Sequence, residues 1–115
     1  MAPQTNTSRG PLYSTLAGDP EMVSLVEMFV DDLPERVQSL LDHLQASDRD
    51  GLRRIAHQLT GAAGSYGFHE ITVEAATLES MLCERGPESE VAAATNMLIN
   101  LCRRARARID ERRPD

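Results

Sequence analysis

The sequence predicts an all-α fold: an antiparallel up-down-up-down four-helix bundle preceded by a short N-terminal helical segment. Three observations lead there. Aromatic residues make up only 3% of the chain and Trp is absent, so a core must be built from Leu, Val, Ile, Met and Ala. Those side chains favour helix-on-helix packing over a sheet, whose strands prefer aromatic and β-branched residues. Apolar residues recur at helical spacing through four segments. Short turn signals separate the segments, which makes consecutive helices antiparallel neighbours. A length of 115 residues gives one domain with room for a single core.

Residues 1–10, MAPQTNTSRG, are polar and patternless and read as a flexible segment; the bundle domain is expected over 11–113. PLYSTLAGD is expected to form a short helical turn that docks Leu12, Leu16 and Tyr13 on the core. The first long helix opens with Asp19 as N-cap, Pro20 at its first position and Glu21 in its first turn. Its stripe is Met22, Val26, Phe29, Leu33, Val37, Leu40 and Leu44, with Pro34 expected to kink or break it. ASDRDG turns the chain, and Asp48 can cap the second helix, whose stripe is Leu52, Ala56, Leu59, Ala63 and Tyr66, with Ile55 beside it. Gly67 is expected to end that helix as a left-handed cap residue. Ile71, Ala75, Leu78 and Leu82 mark a third helix that stops at Arg85-Gly86-Pro87. The fourth starts near Glu88 and carries Val91, Ala94, Leu98, Leu101 or Cys102, Ala105 and Ile109.

The net charge of −6 makes the domain a poor general binder of nucleic acid or of anionic membrane. All twelve basic residues are Arg, and six of them, Arg103, Arg104, Arg106, Arg108, Arg112 and Arg113, crowd the C-terminus. There they suit the macrodipole of a helix end, and Asp110, Glu111 and Asp115 interrupt the run, against a nucleic-acid tail. Cys83 and Cys102 lie in apolar helical context and read as buried free thiols. No signal peptide, bilayer-length apolar run or lipidation motif is visible, so the default expectation is a reduced, cytoplasmic location.

One stretch breaks the helical logic. AHQLTGAAGSYGF, Ala56 to Phe68, places His57 just before Gly61-Ala62-Ala63-Gly64, although glycine weakens a helix by about 1 kcal/mol relative to alanine. Gly61 and Gly64 lie four and seven residues past His57, on its own helix face; Arg53 lies four before it and Thr60 three after. The core stripe is rotated to one side, so His57 sits at its edge and points outward. An imidazole without shading neighbours is open to a bulky partner, and its neutral form carries one nucleophilic ring nitrogen. A phosphoryl group is one electrophile that such a nitrogen accepts, and in-line transfer needs mainly positioning and charge neutralisation. Spacing alone leaves a second reading open: an inert surface histidine, with the glycines serving close helix–helix packing.

The pattern His57, Leu59, Gly61, Gly67, then Ile71, Ala75 and Leu78-Glu79, resembles the histidine-containing phosphotransfer (HPt) domain. That family's motif runs H-x-L-K-G, a glycine ten residues after the histidine, an apolar position, a small residue or Cys, and L-E. MFVDDLPERVQSLLDHL also looks like the family's preceding helix, and the likeness covers roughly Asp19 to Arg85. The resemblance implies a four-helix bundle whose exposed histidine, here His57, is the phosphoacceptor. It takes phosphate from a receiver aspartyl phosphate, or from a sensor or hybrid histidine kinase, and passes it to a response-regulator receiver aspartate. It implies no ATP binding, no cofactor or metal in this chain, Mg2+ on the partner receiver, and a monomer. It also implies that Glu79 either orients the imidazole through the other ring nitrogen or is a plain helix-surface residue. Docking would use Arg53, Gln58, Thr60, Gly61, Gly64 and Ser65.

One letter departs from the family pattern. Thr60 stands where the family usually has a Lys that neutralises phosphoryl charge, and a hydroxyl brings no charge; Arg53 or Arg54 are the candidate replacements. The departure makes an HPt-fold adaptor that docks receivers without efficient transfer the main alternative. A sensor-kinase dimerisation domain is disfavoured by Gln58, where such domains carry an acidic residue directly after the histidine. His43 and His69 form no metal-ligand spacing with His57 and read as surface and capping residues.

Overall fold

The computed structural model describes residues 10–107. Four helices form the bundle: α1 (Val23–Gln45), α2 (Arg49–Ser65), α3 (His69–Cys83) and α4 (Glu88–Arg104). Each helix packs against two others, in the cycle α1–α2–α3–α4–α1, and the α2–α3 seam is the most extensive. The core is the set of expected stripes. Val26, Phe29, Leu33, Val37 and Leu40 of α1 meet Leu52, Ala56, Leu59 and Ala63 of α2, Ile71, Ala75, Leu78 and Leu82 of α3, and Val91, Ala94, Leu98 and Cys102 of α4.

The structure adds to that core and corrects the reading at several points. Phe68, Thr95 and Ile99 are buried as well. Phe68 lies between two helices, outside either stripe, and stacks on Phe29 at 5.8 Å, while Tyr66 tilts against the same ring at 5.3 Å. Thr95 is tolerated inside because its hydroxyl donates to the Val91 carbonyl of the preceding turn at 2.7 Å. Cys102 is buried as expected, and burial pushes its thiol up to about 12. Cys83 is exposed, because it falls one residue past Leu82, off the apolar stripe.

The helical segment expected before the bundle is instead a short strand. β1 (Leu12–Tyr13) pairs in parallel with β2 (Ala105–Arg106), which follows directly on α4. Leu12 and Leu16 dock on the core as expected, whereas Tyr13 stays exposed. Only turns follow, closed by Ala17 N–H to Ser14 O and Asp19 N–H to Leu16 O. Pairing across chain ends, invisible to local periodicity, decides the conformation here. It also ends α4 at Arg104, so Ala105 is buried in a strand and not in a helix. Ile109, the arginines from Arg108 onward and residues 1–9 of the flexible segment expected over 1–10 lie outside the described residues.

Regular α1 begins at Val23, yet Asp19 still caps its entry: Oδ1 accepts the Glu21 N–H at 2.9 Å and the Asp19 carbonyl accepts the Val23 N–H at 3.0 Å. Of the kink or break expected at Pro34, a break does not occur: α1 runs through it as one helix. Flanking Leu33 and Val37 are both buried, so packing holds the helix together where one backbone donor is missing.

The first three helices stop in one manner. A residue in left-handed conformation, Ser47 (φ 55°), Gly67 (φ 84°) or Arg85 (φ 59°), turns the chain. The next N–H then reaches back five residues, from Asp48 to His43 O, Phe68 to Ala63 O and Gly86 to Met81 O, at 2.8–2.9 Å. This Schellman closure satisfies carbonyls that would otherwise be orphaned. Only Gly67 announces it in the sequence.

Candidate histidine site on helix α2

Helix α2 is fixed at both ends and along its base. Asp48 caps its start, with Oδ1 accepting the Gly51 N–H at 3.0 Å. That bond, with the His43 ring beside it, holds the Asp48 carboxyl below its ordinary value. His43 therefore has a structural part that its exposed flank did not suggest: Nδ1 lies 3.0 Å from Asp48 Oδ2, and the ring occupies the space where a Cβ on Gly51 would stand. Leu52, Ala56, Leu59 and Ala63 anchor the inner face at no more than 1% exposure.

On the outer face His57 has 73% of its side chain exposed. Its Nδ1 is 2.9 Å from Oε2 of Glu79, which comes from α3 and is 24% exposed. The position of Glu79 follows from its neighbour: Leu78 is fully buried, and the next residue round the helix falls on the flank facing α2. An ionised carboxylate only accepts hydrogen bonds, so the contact suits the tautomer with its proton on Nδ1 and the lone pair on Nε2.

The other candidate residues divide between two flanks of α2. Toward α3, the Thr60 hydroxyl donates to the Ala56 carbonyl at 2.9 Å, and Thr72 of α3 donates its hydroxyl to the Thr60 carbonyl at 3.3 Å. A Cβ on Gly64 would come within 3.2 Å of the Thr72 hydroxyl, so Gly64 serves the close α2–α3 approach. Gly61 differs: a Cβ there would meet nothing within 4 Å, and the surface beside His57 is open. Toward α1, Gln58 Oε1 accepts from Arg36 Nη1 at 3.3 Å. Ser65 donates its hydroxyl to the Gly61 carbonyl at 3.3 Å, and Arg53 is exposed. Thr72 and Arg36 were not legible beforehand. Both act across an interhelical seam, and no spacing rule within one helix registers such a contact. Among the described residues no group of three or more His, Cys, Asp or Glu side chains is arranged to hold a metal ion, and no helix is long and apolar enough to cross a membrane.

Fold and site together define a class: a small helical bundle that holds a solvent-open imidazole, its Nδ1 against a carboxylate, midway along a helix. The model of the Hpt domain matches residues 24–111, and the chain belongs to that family. Hpt domains are phosphotransfer adaptors of two-component signalling, and they work with its receiver and kinase components. No curated protein and no solved structure gives a significant match to the chain.

Proposed function

We propose that His57 accepts a phosphoryl group from a receiver aspartyl phosphate or from a histidine kinase, and returns it to a response-regulator receiver aspartate. The observation that carries this reading is the 2.9 Å contact of His57 Nδ1 with Glu79 on an otherwise open ring. In the forward step the Nε2 lone pair attacks phosphorus, the phosphorus–oxygen bond to the donor aspartate breaks, and the aspartate leaves as carboxylate. Positive charge develops on the ring, and the Glu79 carboxylate opposes it through the Nδ1 proton. Mg2+ belongs on the receiver partner in this scheme, and the chain acts as a cytoplasmic monomer. Gln58, Gly61 and Ser65 line the docking face, with Arg53 and Gly64 at its edge.

Incubation with a radiolabelled phosphorylated receiver tests the reading. Acid-labile, alkali-stable label is expected on the wild type and absent from His57→Gln; equal label on both refutes it.

Thr60 favours a second reading, an adaptor that docks receivers with slow transfer. Its hydroxyl proton is committed to the Ala56 carbonyl and it brings no charge. Under that reading Thr60→Lys raises the transfer rate by about tenfold or more, as expected for one added charge-assisted hydrogen bond in the transition state. An unchanged rate removes Thr60 as the reason for slow transfer.

A further inference from the structure

Across α3 from His57 lies a groove between α3 and α4. Thr72 and Glu79 mark the flank of α3 that meets α2, through the Thr60 carbonyl and the His57 ring. Glu70, Val73 and Glu74 turn away from that flank. With Met97, Leu101 and Arg104 of α4 they line an open groove of about 330 Å³. Its middle is apolar: Val73 is 45% and Met97 47% exposed, and Leu101, one turn past Met97, is partly buried against the core. A β-branched Val is a poor choice for an exposed helix position, and Met adapts to varied partners at binding surfaces. On the α3 wall Glu70 and Glu74 stand one turn apart, and neither carboxylate has a hydrogen bond or ion pair among the described residues. Like charges at that spacing repel, so a cation set against both relieves the wall. Arg104 does not supply it: Nε donates to the Gly10 carbonyl at 2.9 Å and Nη1 to Asn100 Oδ1 at 3.3 Å.

We propose that this groove docks an amphipathic helix of another protein, one that seats apolar side chains at helical spacing on Val73, Met97 and Leu101 and sets a Lys or Arg against Glu70 and Glu74. In helix-in-groove binding the apolar anchors supply affinity, and charge selects partner and orientation. Two other occupants fit less well. A second copy would present its own exposed apolar pair, Leu25 and Met28 of α1. That face also carries Asp32 and Glu35, four and seven residues past Met28, so acid would meet acid. Residues 1–9 offer Met1, Ala2 and Pro3 as their apolar side chains, grouped at one end and without helical spacing. Because α3 stands between the groove and His57, one protein can hold the chain here while the imidazole stays open to another. The proposal does not rest on His57 being the phosphoacceptor.

The test uses the full chain, isotope-labelled for NMR, and two synthetic amphipathic helical peptides of equal length. Both carry one face of Leu at helical spacing; the flank beside it is Arg in one and Glu in the other. The Arg peptide is expected to shift the amides of Val73, Glu74, Met97 and Leu101 while the His57 ring signals stay in place. It is expected to bind about fivefold more tightly than the Glu peptide, a preference that Glu70→Gln combined with Glu74→Gln abolishes. Met97→Gln, at a half-exposed position, is expected to weaken the Arg peptide about tenfold with the unfolding midpoint close to wild type. Equal binding of the two peptides, binding of neither, or a preference that survives the two Gln substitutions overturns the proposal. So do shifts centred on α1 and α2 or on the His57 ring. Either rival occupant also overturns it: dimerisation of the free chain that Met97→Gln abolishes in sedimentation, or Met97→Gln moving amide signals within residues 1–9 when no peptide is present. Transfer to His57 enters none of these readouts, so failure of the phosphotransfer reading is recognised separately by the label experiment.

Discussion

An ionised carboxylate has no proton to give, so the contact between Glu79 Oε2 and His57 Nδ1 suits the tautomer with its proton on Nδ1. Glu79→Gln tests that role. The amide oxygen can still accept from Nδ1, but the charge that opposes a developing imidazolium is gone. The rate of phosphoryl acceptance is expected to fall by roughly tenfold, about 1.4 kcal/mol of transition-state stabilisation. The unfolding midpoint should stay close to wild type, because the carboxylate lies at the surface. Gly61 supports a second test on the same face. Helical backbone and open space at its Cβ predict that Gly61→Ala stabilises the fold by about 0.5–1 kcal/mol. If the bare surface serves docking, the same variant binds a receiver domain more weakly. Urea melts and titration calorimetry on one protein read both effects, and a stabilised variant with undiminished affinity removes Gly61 from the docking face.

At the scale of the element, α2 is held by what happens at its ends. Asp48 is both the last partner of the α1 closure, through its N–H to His43 O, and the N-cap of α2, through Oδ1 to the Gly51 N–H. Its carboxyl is held below the ordinary value near 3.8, first by the Gly51 N–H and then by His43. A carboxyl depressed in the folded state gives stability that is present above its unfolded pKa and lost as pH falls through the folded value. The stability gap between wild type and Asp48→Ala should therefore be widest at neutral pH and close below about pH 4. Denaturant melts across that range check it, and a gap independent of pH refutes it. Legibility divides along the same line. The stripes of all four helices, the Asp48 cap and Gly67 were readable because each is a local rule: spacing, side-chain oxygen, freedom at positive φ. Ser47 and Arg85 adopt the same left-handed conformation without being glycine. Their sites are set by where the packed helix ends and not by residue preference. Helix α1 continues through Pro34 for a related reason: burial on both sides of it outweighs the local signal for a break. At the site, His57 and its face were legible, whereas the Arg36–Gln58 bond and the Thr72–Gly64 approach required the helices to be placed first.

At the scale of the whole molecule, the two short strands are tied to the turn that ends α2. β1 pairs with β2 at the end of α4, and the residues just after β1 grip the α2–α3 turn: Thr15 N–H donates to the Gly67 carbonyl at 2.9 Å. Ser14, buried, donates its hydroxyl to the Tyr66 carbonyl at 2.6 Å and accepts the Leu16 N–H at 2.9 Å. One side chain thus joins the N-terminal strand to the C-terminus of α2, and its removal leaves the half-buried Leu16 N–H and the Tyr66 carbonyl without that partner. Such a loss costs about 1–3 kcal/mol. The two thiols supply a gauge for it. Cys83 is exposed and should react with a thiol reagent in the native protein; Cys102 is buried, with its thiol pushed up to about 12, and should react only when the bundle opens. With fast reclosing, the Cys102 rate follows the population of the open state. Ser14→Ala is therefore expected to speed Cys102 labelling roughly tenfold or more while leaving Cys83 unchanged. If Cys102 labels at the wild-type rate in Ser14→Ala, the strand is a local attachment. Acceleration equal to the loss in global stability makes the strand, the α2 turn and α4 one cooperative unit, in which the support of the His57 helix extends to both ends of the bundle.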